Sequence, residues 1–173
     1  YPSDRRVNKR PIPRIGGIAV IIGFLVSAIY LVITMTIEDN LTLNSEENYK
    51  MKLLGFLIGI IVLAIFAYID DVKSLKPWQK LIGQVLAAII IYSFGIRIDK
   101  INEIIIHPAL SFILTVGWIV GITNAINLID GLDGLSSGTS LISCISLLLI
   151  FATNESPIIS IILITALAGA ISG

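Results

Sequence analysis

The sequence predicts an all-α fold, a polytopic transmembrane helical bundle of about six spans in 173 residues. Three observations predict it. Hydrophobic residues make up 55% of the chain and charged residues 14%, with a mean hydropathy of +0.94, whereas soluble proteins carry roughly a quarter charged residues. Six runs follow one another without a charge, apart from Lys52 near the start of the second. Carboxylates collect where two of these runs end, Asp70 and Asp71 after one, and Asp130 and Asp133, with Asn124 and Asn127, around the end of another. Acids are costly inside hydrocarbon, so carboxylates gathered where helices emerge on one face suggest a metal and a phosphate substrate.

A hydrocarbon core of about 30 Å takes about 20 apolar residues per helix, with about 17 as the lower limit. The runs 15–37, 51–69, 108–129 and 134–153 meet that length. Run 81–96 is short alone but reaches it from Pro77, because proline is tolerated in a first helical turn. Run 157–173 is cut by the end of the chain. The expected spans are therefore about 15–37, 51–69, 77–96, 108–129, 136–153 and 157–173, in a single integral membrane domain covering 1–173. The runs are rich in β-branched isoleucine, yet they lack the in-out alternation of a barrel strand. Helices are the other spanning solution, since backbone groups must be satisfied within the segment. Segment 95–107 alternates apolar and polar residues over part of its length and reads as a short extracytoplasmic hairpin or interfacial piece. Gly55 with Gly59, and Gly117 with Gly121, form GxxxG pairs, read as places where helix backbones approach closely. Trp78 reads as an interfacial anchor.

Twelve basic and twelve acidic residues cancel, so bulk charge predicts no nucleic-acid partner. Their distribution says more. Arg5, Arg6, Lys9, Arg10 and Arg14 precede the first span, and Lys73, Lys76 and Lys80 lie between the second and third. The segments on the other side hold Lys50, Lys52, Arg97 and Lys100, beside Glu38, Asp39, Glu46 and Glu47. By the positive-inside rule the N-terminus is cytoplasmic, and so are the loops carrying both acidic motifs, as in a multi-pass protein of the plasma (inner) membrane. The basic opening and a first run long enough to span show no secretory signal. Cys144 is the one cysteine, so there is no disulfide framework. Opening at Tyr1 without methionine and stopping at Gly173 inside an apolar run read as a chain incomplete at both ends.

Adjacent residues on a helix point about 100° apart, so one site uses Asp70 and Asp71 only in different roles. Unpaired neighbours would raise one another's pKa. A divalent cation, or Lys73, Lys76 and Lys80, would keep both ionised; the plainer reading is an interfacial cap with solvated charges. Residues 124–138, NAINLIDGLDGLSSG, are more specific. Asn124, Asn127, Asp130 and Asp133 recur every three residues, and each step of three slips by about 60° on an ideal α-helix. For them to converge the helix must tighten or break, and Gly131 and Gly134 permit a break near Ile129. Such amides and carboxylates can coordinate Mg²⁺ and hold a sugar or uracil by hydrogen bonds. Capping of the next helix accounts for one aspartate, hardly for two plus the asparagines. In residues 9–17, KRPIPRIGG, Gly16 and Gly17 leave backbone N–H groups at a helix start, where phosphate is favoured, and Arg14 adds a bidentate donor. Gln84 lies one turn after Lys80 on the same face and reads as packing against a neighbouring helix, with contact to substrate as the alternative. His107 reads as structural.

PRIGG, AYIDDVKSLKPWQKLIGQ and NAINLIDGLDGLSSG, in that order with spans between them, resemble the polyprenyl-phosphate N-acetylhexosamine-1-phosphate transferases. The match covers nearly the whole chain. The resemblance implies a polytopic helical fold and transfer of a sugar 1-phosphate from a UDP-sugar to the phosphate of a polyprenyl lipid in the membrane. UMP is released, and Mg²⁺ is required, with Mn²⁺ as a substitute. By position Asp70 and Asp71 match the family's aspartate pair and Lys80 a lysine of the following loop. Asn124, Asn127, Asp130 and Asp133 match its nucleotide- and metal-associated motif. Arg14 in PIPRIGG is closer to the N-acetylglucosamine branch than to the muramoyl-pentapeptide branch, which usually reads TPTMGG there. A further aspartate in a GD-x-GS segment and a late loop that is often histidine-rich do not occur in these residues. The chain by itself is expected to be inactive.

On that reading Asp70, Asp71 and Lys80 are catalytic, while Arg14, Lys73, Asn124, Asn127, Asp130 and Asp133 bind substrate. Asp71, Asp130 and Asp133 are the expected metal ligands. Asp70 or Asp71 serves as base or metal ligand, and an aspartyl-phosphate intermediate stays open. A homodimer stays open as well. The alternative from another class is an ion-coupled transporter, which needs acids near mid-bilayer and a broken helix there. An intramembrane aspartyl protease would need Asp70 and Asp130 to face each other within the bilayer, and a CDP-alcohol phosphotransferase would need a DG-x-x-AR sequence, which these residues lack.

Overall fold

The computed structural model describes residues 16–37, 49–130, 134–154 and 156–173. Six helices follow in chain order: α1 (Gly16–Ile37), α2 (Tyr49–Lys73), α3 (Pro77–Ser93), α4 (Pro108–Ile129), α5 (Leu135–Thr153) and α6 (Ile158–Ser172). Between α3 and α4 stands a two-stranded antiparallel hairpin of β1 (Lys100–Ile101) and β2 (Ile104–Ile105). Segments Lys50–Lys73, Pro108–Ile129 and Leu135–Thr153 are long and apolar enough to cross a membrane, and the apolar stretches Ala19–Tyr30 and Ile158–Ser172 are shorter. The molecule is a predominantly helical, multi-pass membrane protein. Packing divides it into two units, residues 1–42 with 127–173 and residues 43–126.

Several hydroxyl side chains within the apolar helices are satisfied locally. Ser93, Thr123, Ser143, Ser146 and Thr165 each donate a hydroxyl hydrogen bond to the carbonyl four residues earlier, at 2.7–2.9 Å. This back-bonding removes the cost of a bare hydroxyl in an apolar setting.

In the unit of residues 43–126, α2 and α3 pack through glycines. Gly55 and Gly59 of α2 are buried. A Cβ on Gly59 would lie 2.5 Å from Ile91 Cγ1, and one on Gly55 would overlap Phe94. Gly83 of α3 answers from the other side, where Phe66 of α2 covers its missing side chain. The second pair, Gly117 and Gly121 on α4, has nothing within 4 Å among the described residues, so this GxxxG is not a helix contact there. The difference is tertiary: the spacing is the same, but only α2 has a partner along that face.

Two helix ends differ from the expected boundaries. α2 continues past the uncharged run, so Asp70 and Asp71 lie in its last turn. α3 stops at Ser93 instead of near 96. Gly95 takes φ +91°, and the N–H groups of Gly95 and Ile96 donate to the carbonyls of Tyr92 and Ile91. That left-handed glycine closure satisfies the last carbonyls of the helix and terminates it.

The connector 95–107 is tied to α4. Thr115 Oγ1 accepts the Ile98 N–H at 2.9 Å, and Ser111 Oγ donates to Asp99 at 3.3 Å; both hydroxyl residues are buried. Arg97 hydrogen-bonds Asp99, which holds its guanidinium above the ordinary arginine value. Tyr92 and Phe112 meet edge to face with centroids 5.2 Å apart. His107 is structural, its Nδ1 accepting the Ala109 N–H in the first turn of α4 at 3.3 Å. In the other unit α6 packs against α1 and α5, and Phe24, Ala28, Cys144, Ile159, Ile162 and Ala166 are buried.

Gly83→Ala is expected to lower stability by about 1–3 kcal/mol, the usual cost of overpacking, because Phe66 fills the space. Gly117→Ala, facing open space and with better helix propensity, is expected to leave it unchanged or raise it. Thermal unfolding in detergent checks the pair; equal effects would contradict the α2–α3 contact.

Candidate active site

The C-terminus of α2 and the N-terminus of α3 are joined by Ser74, Leu75 and Lys76. Ser74 has φ +49°, and its N–H donates to the Asp70 carbonyl at 2.8 Å, the single-bond form of a left-handed helix stop. Serine there bears a cost that glycine would not. The Asp70 side chain holds the turn from the other side. Its Oδ1 accepts the Leu75 N–H at 2.9 Å, and its Oδ2 meets Lys80 Nζ at 2.6 Å. Gln79 Oε1 accepts the Lys76 N–H at 2.9 Å and, with Pro77 first in the helix, starts α3 cleanly.

Lys80 and Gln84 are four residues apart and share one face of α3. Gln84 is 8% exposed and faces α4, where Asn124 Nδ2 donates to its Oε1 at 2.6 Å. Gln84 Nε2 returns a long bond of 3.4 Å to Asn124 Oδ1, and Asn124 Nδ2 also donates to the Val120 carbonyl at 2.9 Å. One face of α3 therefore links a carboxylate of α2, through a lysine, to an asparagine of α4.

Of the residues singled out in the sequence, Asp70 and Lys80 are in direct contact, and Asn124 is joined to α3 one turn further on. Asp71 and Lys73 are exposed in the last turn of α2. Asn127 is exposed near the end of α4, and Asp130 is exposed one residue beyond it. α4 ends at Ile129, where the glycines were expected to allow a break, and Gly134, with φ +77°, is the N-cap of α5. Arg14 and Asp133 lie outside the described residues. Gln84 is the residue that sequence reasoning undervalued: it does pack against a neighbouring helix, but through a reciprocal amide pair with a candidate site residue. The available signal was an amide in the middle of an apolar helix, one turn from Lys80.

Chemically, Lys80 and Asp70 offer a cation and an anion at a helix junction, and Asp71 and Asp130 offer exposed oxygen donors. Among the described residues no three His, Cys, Asp or Glu side chains gather into a group that could hold a metal ion. Mg²⁺ does not need such a cage, since it is commonly bound by one or two carboxylates together with water and substrate phosphates.

These features define a helical membrane protein with an ion pair at the α2–α3 junction and a buried amide pair between α3 and α4. The chain belongs to glycosyl transferase family 4, whose model matches residues 53–173. It is similar to a probable undecaprenyl-phosphate N-acetylglucosaminyl 1-phosphate transferase of Bacillus subtilis, 33% identical over 82% of this chain and 37% of that protein. It is 30% identical to a decaprenyl-phosphate N-acetylglucosaminephosphotransferase of Mycobacterium tuberculosis over 85% of this chain and 37% of the relative. A phospho-N-acetylmuramoyl-pentapeptide-transferase of Halalkalibacterium halodurans is 31% identical over 96% of this chain and 52% of its own length. The chain thus spans about a third to a half of the curated relatives it matches. No solved structure matches it. Family membership leaves the transporter alternative without support.

Asp70→Asn keeps an acceptor for the Leu75 N–H but loses the charge facing Lys80. The pair is partly exposed, 36% at Lys80 and 27% at Asp70, so the loss is expected to be at most about 1 kcal/mol. Asp70→Ala also leaves the turn N–H without its acceptor and is expected to cost about 1 kcal/mol more. Thermal unfolding of the two variants in detergent reads the order; equal destabilisation would remove Asp70 from the turn.

Proposed function

We propose that this protein transfers an N-acetylhexosamine 1-phosphate from a UDP-sugar to a polyprenyl phosphate at the cytoplasmic face of the plasma membrane, with release of UMP. The observation that carries the reading is the line on α3 that connects Asp70, Lys80, Gln84 and Asn124 within a member of glycosyl transferase family 4. The names of its relatives support the lipid and sugar classes. The basic N-terminal segment and Lys73, Lys76 and Lys80 support the orientation.

In the reaction an oxygen of the lipid phosphate attacks the β-phosphorus of the UDP-sugar. A new P–O bond forms there, the bond from the β-phosphorus to the bridging oxygen breaks, and that oxygen leaves with the electron pair as part of UMP. Bringing the two anions together is the main electrostatic obstacle. Lys80, which Asp70 holds at the α2–α3 junction, offsets the repulsion, and Lys73 and Arg14 add positive charge for the phosphates. Asp71 accepts a proton from the lipid phosphate or would hold a divalent metal, a role that Asp130 and Asp133 would also take. Asn124 and Asn127 hold the nucleotide-sugar by hydrogen bonds. Mg²⁺, replaceable by Mn²⁺, supplies charge neutralisation of the diphosphate when bound.

The test is UMP release by the protein expressed from its natural reading frame, with polyprenyl phosphate and a panel of UDP-sugars. Asp71→Asn and Asp130→Asn are each expected to lower turnover by about a hundredfold or more while the thermal unfolding profile stays intact. Chelation of divalent metal is expected to stop release and added Mg²⁺ to restore it. Near-normal turnover in both variants would defeat the assignment.

A further inference from the structure

Gln84 has no role in the reaction as described, yet it is buried and bonded to a residue that does. A buried amide is costly unless its polar ends are paired, and the pairing here determines orientation. The Val120 carbonyl can only accept, so the Asn124 side-chain atom 2.9 Å from it is nitrogen. That same nitrogen is 2.6 Å from Gln84, so the Gln84 atom facing it is oxygen. Flipping either amide would set acceptor against acceptor or donor against donor. One backbone carbonyl thereby orients both side chains.

The consequence lies in what Asn124 has left to offer. Both hydrogens of its Nδ2 are used, one by Val120 and one by Gln84. Its Oδ1 receives only the 3.4 Å bond from Gln84 and retains acceptor capacity. We propose that Gln84 is a positioning residue that locks Asn124 as an acceptor only, so that its Oδ1 receives a hydrogen-bond donor of the nucleotide-sugar. Without Gln84 one Nδ2 hydrogen of Asn124 loses its acceptor and the amide is held by the Val120 carbonyl alone, so that Asn124 presents a donor beside its Oδ1 and a turn about its terminal torsion has one bond to break instead of two. Gln84 sits one turn from Lys80 on α3, so the helix that holds the lysine on Asp70 also sets the polarity of this amide. The inference rests on the transferase reading above and deepens its substrate contact.

The experiment is steady-state UMP release by the protein from its natural reading frame, with UDP-sugar, polyprenyl phosphate and Mg²⁺ varied separately. Gln84→Met keeps the length of the side chain and removes its acceptor. It is expected to raise KM for the UDP-sugar about tenfold, the order of one buried hydrogen bond, with kcat within about threefold and KM for the lipid unchanged. Gln84→Glu restores an acceptor at the same reach and is expected to recover most of the affinity. In an Asn124→Ala background, Gln84→Met is expected to add nothing, because its effect runs through Asn124. Should Gln84→Met fail to fold, Gln84→Asn, shorter by one methylene, is expected to raise the same KM. Unchanged KM, a fall confined to kcat, a shift confined to the Mg²⁺ requirement, or additive losses with Asn124→Ala would overturn the inference. Absence of UMP release from the unmodified protein would instead defeat the transferase reading itself.

Discussion

A polar group on a helix bound for hydrocarbon must find its partner inside the protein, because the surroundings offer none. This constraint organises the molecule. Hydroxyls fold back onto their own helices, as at Thr123 and Ser146. Gln84 cannot do the same and reaches across to Asn124. The connector between α3 and α4 is held by buried hydroxyls, with Thr115 accepting a backbone N–H and Ser111 donating to Asp99. Helices that would otherwise be interchangeable apolar rods acquire a defined register from a handful of hydrogen bonds, each of which has few competitors in that setting.

Close backbone approach is the second requirement. Where Gly55, Gly59 and Gly83 remove side chains from the α2–α3 contact, Phe94, Ile91 and Phe66 occupy the space. The two helices are then near enough for a tight turn of Ser74, Leu75 and Lys76 to join them, and for Asp70 to span from the turn to Lys80. Packing deep in the apolar layer and charge at its edge are thus one arrangement. Glycine sets the distance, and the distance lets a carboxylate serve the turn and the lysine together.

The two carboxylates at the end of α2 are placed differently in this glycosyl transferase family 4 protein. Asp70 is committed to local structure through both oxygens, whereas Asp71, its neighbour in the same turn, is exposed. Adjacent carboxylates about 100° apart on a helix do not share one environment. The asparagines divide similarly, Asn124 held against α3 and Asn127 exposed near the end of α4.

Much of the architecture was readable from residue order. The helices follow from apolar runs longer than any soluble strand, the α4 stop near Ile129 from the glycines after it, the hairpin in 95–107 from its alternation, and the family from three ordered motifs. The pairing of side chains was not readable in the same way. Both GxxxG pairs have identical spacing, yet among the described residues only Gly55 and Gly59 meet a neighbouring segment, because spacing defines a face and not its neighbour. Gln84 and Asn124 are forty residues apart, and no local pattern says that one amide orients the other. Sequence by itself determined which segments leave water and which groups must then be satisfied, since both depend on composition along the chain. Tertiary structure alone decided which partner satisfies each group, since that depends on how closely two helices approach.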